Sequence, residues 1–122
     1  MMKALSATTV IYISNLRQSL QYYTEILGFT EDFVFGDYAG LYYGDVSIHL
    51  CGPENQGLKK IPGNTLLCIA CDEVDEFHDA LVSKGALIVN APQDRIYGMR
   101  DFAVNDPDGN TLVFGVAIQH EH

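Results

Sequence analysis

The feature of this sequence that most limits its possible folds is a pattern that occurs twice along the chain. A β-type apolar stretch is followed by an amphipathic helical stretch, a glycine and three further β-type stretches. The first copy begins near Thr8 and the second near Thr65, and their helix-ending glycines are Gly28 and Gly85. Such repetition predicts two βαβββ modules, each a four-stranded sheet with one helix across a face.

The first module is expected over residues of about 6–52. β-branched and aromatic residues predict a strand over 8–13. Apolar residues then recur at helical spacing over 16–27, and the short side-chain oxygen of Ser14 or Asn15 is placed to cap that helix. Three strands follow, separated by the turn dipeptides Gly36-Asp37 and Gly44-Asp45, and are predicted over 29–35, 39–43 and 46–51.

A connector rich in Gly and Pro over 53–63 leads to the second module, which is expected over about 64–118. A strand is predicted over 65–71, and Asp72 with Asp75 three residues later resembles a capping box that starts a helix. Gly85 is placed to end that helix. Further strands are predicted over 87–91, 99–104 and 111–116, with the turn Asp106-Pro107-Asp108-Gly109-Asn110 before the last of them.

The expected fold class is therefore α+β: two βαβββ modules with their sheets curled around a cleft. The length of 122 residues suits one domain, residues 1–122. A helix covers one face of each sheet, so the other face must be buried against another surface or around a ligand. The cleft between the sheets is the expected binding site.

Composition excludes several function classes. Acidic residues number 16 against 7 basic ones, a net charge of −9, which argues against nucleic-acid binding. No apolar run approaches the ~20 residues that span a membrane, and the first residues do not resemble a cleaved leader. Three cysteines do not form a complete disulfide set, which favours a reducing compartment. We expect a cytoplasmic protein that binds neither nucleic acid nor membrane.

Several segments carry a resemblance to a known family. They are LGFTEDFV at 27–34, DYAG at 37–40, DVSI at 45–48, NTLL at 64–67, YGMRDFA at 97–103 and DPDGN at 106–110. Together with the double module they resemble the vicinal oxygen chelate superfamily, which contains glyoxalase I, fosfomycin-modifying enzymes, extradiol dioxygenases and bleomycin resistance proteins. Within it the chain is most similar to the bleomycin resistance proteins, nearly end to end.

For the enzymes of this superfamily the resemblance implies a divalent metal held by His and Glu at four strand positions. Those positions fall on Thr8, His49, the stretch 64–66 and Val113 of this chain. Only His49 has a side chain that zinc prefers. The resemblance therefore implies no metal, no cofactor and no catalytic residues, as in the resistance proteins, which sequester their ligand without a metal.

The ligand that the resemblance implies is a bleomycin-type antibiotic, with a flat heteroaromatic segment and a cationic tail. Flat rings need aromatic platforms, and offset stacking adds ~0.5–1.5 kcal/mol beyond buried area. The candidate platforms are Phe33, Tyr38 and Tyr97, the last at a position where the family usually has Trp. Asp32 and Asp37 are the candidates for attracting the cationic end. The resemblance also implies a homodimer with its clefts at the subunit interface.

His49 and Arg100 complete the candidate ligand-binding set, and Arg100 is also placed to pair with an acid. The C-x-x-C motif, Cys68 to Cys71, lies in a predicted strand that points its two thiols to opposite faces. The tail His120-Glu121-His122 is expected to be disordered. Two alternatives remain open. One is a metal-dependent lyase, isomerase or thiol transferase centred on His49, and the other is a structural module with a closed cleft.

Overall fold

A computed structural model of the chain describes residues 1–118, so the histidine-containing tail lies outside the described residues. The first sheet has the order β1-β4-β3-β2, with β1 parallel to β4 and the other pairs antiparallel. Its strands agree closely with those predicted, and the last of them matches at both ends. They are β1 (Thr9–Tyr12), β2 (Thr30–Phe35), β3 (Tyr38–Tyr43) and β4 (Val46–Cys51).

The second sheet repeats this arrangement and adds one strand. Its order is β5-β9-β8-β6, with β5 parallel to β9, and β7 also pairs with β8. The prediction of two βαβββ modules is confirmed, but the strand predicted over 87–91 is shorter. It ends early because Asn90 accepts a hydrogen bond from Ala103 N through its side chain, and Pro92 has no N–H for a ladder. The strands are β5 (Leu66–Ala70), β6 (Leu87–Ile88), β7 (Gln93–Asp94), β8 (Met99–Asn105) and β9 (Thr111–Ala117).

One helix belongs to each module. Helix α1 (Leu16–Gln21) is capped by Asn15, whose side chain accepts a hydrogen bond of 3.0 Å from Gln18 N. The chain then continues as a π-helical turn over Tyr22–Ile26, which is wider than an α-helical turn. Gly28 follows it at φ 90°. That turn was not predicted, because periodicity over two turns does not distinguish the two helix types.

Helix α2 (Val74–Ser83) ends as predicted before Gly85 at φ 81°. The predicted capping box at its start is wrong: Glu73 is the N-cap and makes no side-chain capping bond. Asp75 instead accepts hydrogen bonds from Arg100. Within residues 1–118 no helix is long and apolar enough to cross a membrane.

The helix-covered faces of the two sheets share a single core. Ile11 and Leu50 of the first sheet and Phe102 and Leu112 of the second are fully buried in it. Tyr23 of the π-helical turn is also fully buried and donates a 2.9 Å hydrogen bond to Asp106 Oδ2 in the second module. The opposite, or open, face of each sheet carries the side chains that alternate with these core residues.

The turn over 106–110 fastens the two modules together. Asn110 is 0% exposed, and its Oδ1 accepts hydrogen bonds from Gly63 N and Thr65 N. Its Nδ2 donates to Tyr12 O in the first sheet and to Asp106 Oδ2. The segment over 106–110, which the sequence predicts only as a turn, therefore forms a buried polar junction between β1, the connector and the start of β5.

Candidate functional site

Three ring side chains form a cluster on the open face of the first sheet, called here the Phe33 cluster: Phe33, Tyr38 and His49. The rings of Phe33 and Tyr38 are stacked, with centroids 6.4 Å apart and planes 20° apart. His49 meets each of them edge-on at 5.2 Å. Phe33 keeps 38% of its surface exposed, so the cluster offers an aromatic surface to a ligand.

An irregularity in β2 brings Phe33 to this face. Glu31 pairs with Leu41, but the next pair along is Phe33 with Gly40, so Asp32 is an extra residue in the strand. Without this bulge, strict alternation would turn Phe33 to the helix side. Gly40 completes the arrangement, because a Cβ at that position would overlap the Phe33 ring.

Tyr38 and His49 are joined by a hydrogen bond of 2.8 Å between the phenol oxygen and Nδ1. Burial raises the pKa of Tyr38, helped by the nearby Cys51 and Tyr12 side chains. The phenol therefore keeps its proton at neutral pH, and its hydrogen bond occupies Nδ1 of the imidazole. Within residues 1–118, Nε2 of His49 makes no hydrogen bond and is the ring nitrogen left for a ligand.

The two acidic candidates beside the cluster differ in their surroundings. Asp37 Oδ2 accepts a hydrogen bond of 2.7 Å from Glu54 N, and its carboxyl group packs against Gly52. It therefore holds the β2–β3 turn to the connector, a role the sequence did not suggest. Asp32 lies exposed at the bulge, and its carboxylate makes no hydrogen bond within the described part of the chain.

Tyr97 lies in the β7–β8 turn of the second module and is 65% exposed. Its hydroxyl donates to Asp101 Oδ2, while Arg95 Nε donates to Asp101 Oδ1 at 2.8 Å. Burial of Asp101 opposes its ionisation, but the hydrogen bonds from Tyr97 and Arg95 and the charge of Arg95 outweigh burial and lower its pKa. Tyr97, Arg95 and Asp101, the Tyr97 cluster, thus hold an ionised carboxylate at neutral pH.

The sequence pattern did not predict a role for Arg95 and Asp101. They lie on either side of the Tyr97-Gly98 turn, and Arg95 N donates to Met99 O at 2.7 Å to close it. Recognition of 93–101 as a hairpin would have placed the two side chains near each other. The signal was weak because β7 is only two residues long.

Arg100 lies on the other side of β8 from Asp101. Its guanidinium pairs with Asp75 Oδ1 at 2.9 Å and with Asp94 Oδ1 at 3.1 Å. The expected pairing of Arg100 with an acid is present, and the ion pair with Asp75 links α2 to the second sheet. The structure places Arg100 away from Tyr97, and no ring contact within residues 1–118 joins Tyr97 to Phe33 or Tyr38.

The residues at the family's metal positions do not fit a divalent metal. Val113, in β9, has an aliphatic side chain, and Leu66 at the start of β5 is equally apolar. Cys68 pairs with Val113 in the sheet and is exposed, but it adds one thiol only. His, Cys, Asp and Glu side chains of residues 1–118 form no group of three that could hold a metal ion.

The two sheets have the same strand order, and each carries polar or aromatic side chains on its open face. These features indicate the class of protein to which the chain belongs. The chain belongs to the Glyoxalase/Bleomycin resistance protein/Dioxygenase superfamily, whose profile matches residues 6–114. The structure is also similar to that of a superfamily member from Sphaerobacter thermophilus, with a TM-score of 0.80, 21% identity and coverage of 95% of this chain and 99% of that one.

Two more specific relatives share a bleomycin-related description. A bleomycin resistance protein of Geobacillus stearothermophilus is 26% identical over 125 residues, covering 90% of this chain and 95% of the relative. The bleomycin-binding protein of bleomycin-producing Streptomyces verticillus, solved with copper(II)-bleomycin, is 26% identical, with a TM-score of 0.77 and coverage of 98% of this chain and 100% of that one.

Proposed function

We propose that this chain is a metal-free binding protein that sequesters a flat, cationic antibiotic of the bleomycin type. The observation that carries this proposal is the Phe33 cluster, an exposed aromatic surface held in place by a bulge, a glycine and a hydrogen bond. A flat heteroaromatic ring stacked on it would gain ~0.5–1.5 kcal/mol beyond the area buried. Similarity over the whole chain to a protein solved with bleomycin supports the same ligand class.

The ligand site of this proposal is completed by a second copy of the chain. The Phe33 and Tyr97 clusters lie on different sheets and do not touch within residues 1–118. A homodimer that faces the first sheet of one protomer with the second sheet of its partner brings the two clusters into one cleft. Phe35 and Leu66, 84% and 68% exposed on these faces, supply apolar surface for such an interface.

Charge supports the cationic part of the ligand. Asp32 is a free carboxylate next to Phe33, Asp101 is held ionised beneath Tyr97, and the chain carries a net charge of −9. These charges raise the local concentration of a cation and its association rate. A cytoplasmic location is part of the proposal, because Cys51, Cys68 and Cys71 are all free thiols.

Calorimetric titration of the purified protein with metal-free bleomycin, in the presence of EDTA, tests this proposal. We expect saturation at one ligand per protomer. Phe33→Ala and Tyr97→Ala should each weaken binding about tenfold, the equivalent of about 1.4 kcal/mol. Leu58→Ala, which truncates an exposed apolar side chain of the connector, is the matched control and should bind normally.

Two results would overturn the proposal. A flat titration excludes bleomycin as the ligand. Binding or turnover that EDTA abolishes and that returns with stoichiometric metal would instead support a metal-dependent lyase, isomerase or thiol transferase centred on His49. Sedimentation velocity of the same samples tests the dimer separately, since a monomer would leave the Phe33 and Tyr97 clusters in separate sites.

A further inference from the structure

A cavity of about 340 Å³ lies between the modules, on the helix side of both sheets. Its size falls in the range of small-molecule sites. It is called here the junction pocket, and it is distinct from the open faces that the proposed function uses. Its walls come from the start of β2, the β3–β4 hairpin, the end of β5 and the first turns of α2, and include Phe29, Tyr43, Val46, Cys71, Phe77 and Phe114.

One wall of the junction pocket is a continuous series of aromatic rings. Phe29 meets Tyr43 edge-on at 5.6 Å, Tyr43 meets Phe77 at 5.8 Å, and Phe77 meets Phe114 at 4.9 Å. The series crosses from the first module to the second. Tyr43 is 45% exposed and Phe77 is part-buried, although they lie where the two modules meet. Rings that remain accessible in a cavity provide the negative π-surface that attracts organic cations.

The rim of the junction pocket is acidic. Among the lining residues within 1–118, three are acidic, Asp72, Glu73 and Glu76, and none is basic. No ion pair or side-chain hydrogen bond of the described residues engages these three carboxylates, whereas the neighbouring Asp75 is paired with Arg100. The pocket therefore has a negative charge without a counter-ion in the part of the chain that the structure describes.

Two other groups affect the charge of the pocket, and neither reverses its sign. The N-terminus of α2 contributes roughly half a positive charge, against three full negative charges on the rim. The Cys71 thiol stays neutral at neutral pH, because burial and the charge of Asp72 raise its pKa. The net field in the pocket therefore favours a cation.

We propose that the junction pocket binds a hydrophobic ammonium ion, that is, a positively charged nitrogen bearing alkyl or aryl groups. Its carbon groups contact Tyr43, Phe77 and Phe114, and its charge lies toward the acidic rim. A hard metal cation is a poorer match, because the His, Cys, Asp and Glu side chains of residues 1–118 form no group of three that could hold one. This proposal is independent of bleomycin sequestration on the open faces.

A matched pair of probes tests it: choline and 3,3-dimethylbutan-1-ol, which have the same shape and differ in charge. Each is titrated into ¹⁵N-labelled full-length protein and followed by amide chemical shifts. We expect saturable shifts from choline at residues 71–77, and at least about fivefold weaker binding of the neutral alcohol. Glu76→Gln should weaken choline binding about threefold. Glu54→Gln, an equivalent change in the connector, should leave binding unchanged.

A variant that fills the junction pocket tests whether choline binds there, and it leaves the packed aromatic rings in place. Ala80→Leu places extra carbon in the pocket from an exposed helical position and should abolish the choline shifts while the remaining spectrum stays native. Equal affinity for the two probes, shifts at the Phe33 cluster instead, or choline binding that persists in both Glu76→Gln and Ala80→Leu would overturn the proposal. The bleomycin titration reports on different residues, so the two proposals fail separately.

Discussion

The two modules share one topology but differ in the chemistry of their open faces. The first sheet presents a cluster of rings, in which Tyr38 is hydrogen-bonded to His49 and Phe33 stacks on Tyr38. The second presents an ionised carboxylate, Asp101, fixed by Tyr97 and Arg95. The two sheets share a strand order, and the residues that alternate with the core give each open face its own chemistry.

The modules also differ at the turn before their last strand. In the first, Gly44 and Asp45 form a short exposed turn. In the second, the corresponding turn over 106–110 is longer, and its Asp106 and Asn110 are buried against the first module. One copy of the repeat thus contributes a simple reversal of direction, whereas the other contributes the polar contacts that join the halves.

The largest expected effect comes from breaking that second turn. Asn110→Ala leaves the part-buried Gly63 N, Thr65 N and Tyr12 O without their partner, and should lower the free energy of unfolding by about 3 kcal/mol. Asp45→Ala, in the exposed turn of the first module, should change it by no more than about 0.5 kcal/mol. Urea unfolding at one protein concentration measures both. Similar losses in the two variants would show that the turns do not differ in this way.

Asp101→Asn tests the charged open face and should lower stability at neutral pH by about 2 kcal/mol. Because the folded pKa of Asp101 is lowered, its contribution is fully present above the ordinary Asp pKa of about 3.9 and is lost as pH falls through the lowered value. The gap between wild type and variant should therefore close in acid. Urea midpoints from pH 7 to pH 3 measure it, with Asp45→Asn as the control, and a constant gap would contradict the ionised form.

Each open face contains one glycine that is close to a side chain of its cluster, and the two glycines differ in the space around them. At Gly40 an added methyl overlaps the Phe33 ring, whereas at Gly115 the nearest atoms, in Asp101 and Met99, are 3.3 Å away. Gly40→Ala should cost about 1–2 kcal/mol of stability and weaken bleomycin binding by displacing Phe33. Gly115→Ala should cost less than about 1 kcal/mol. Calorimetric titration and urea unfolding of both variants measure the losses of affinity and stability. Equal losses in the two variants would mean that the Phe33 ring moves aside without cost.

The smallest expected effect is that of Tyr38→Phe, which keeps the ring and removes the hydrogen bond to His49. We expect a loss of about 1 kcal/mol or less in stability and a smaller loss of bleomycin affinity than for Phe33→Ala. Tyr42→Phe, on the same strand and face, is the control, since its hydroxyl makes no hydrogen bond within the described residues. If Tyr38→Phe weakened binding as much as Phe33→Ala, the hydrogen bond rather than the ring surface would hold the ligand.

The parts of this protein that could be predicted were those encoded by near neighbours in the chain. The helix ends at Gly28 and Gly85, the Asn15 cap and the hairpin of β3 with β4 each depend on a few adjacent residues. The helix start at Glu73 was predicted wrongly, because a carboxylate spacing alone does not show that Arg100 competes for Asp75. The sequence offers Phe33, Tyr38 and Tyr97 as candidate ring platforms, but it does not show which of them lie together.

The sequence by itself determined a repeated βαβββ pattern, and with it the two sheets and their helix-covered faces, because apolar periodicity and turn residues act over short distances. Only the tertiary structure decided which side chains share an open face. One extra residue at Asp32 reverses the side on which Phe33 emerges, since side chains alternate along a strand. Likewise, the junction pocket depends on residues far apart in sequence, from Phe29 to Phe114, whose proximity is set by strand register and packing.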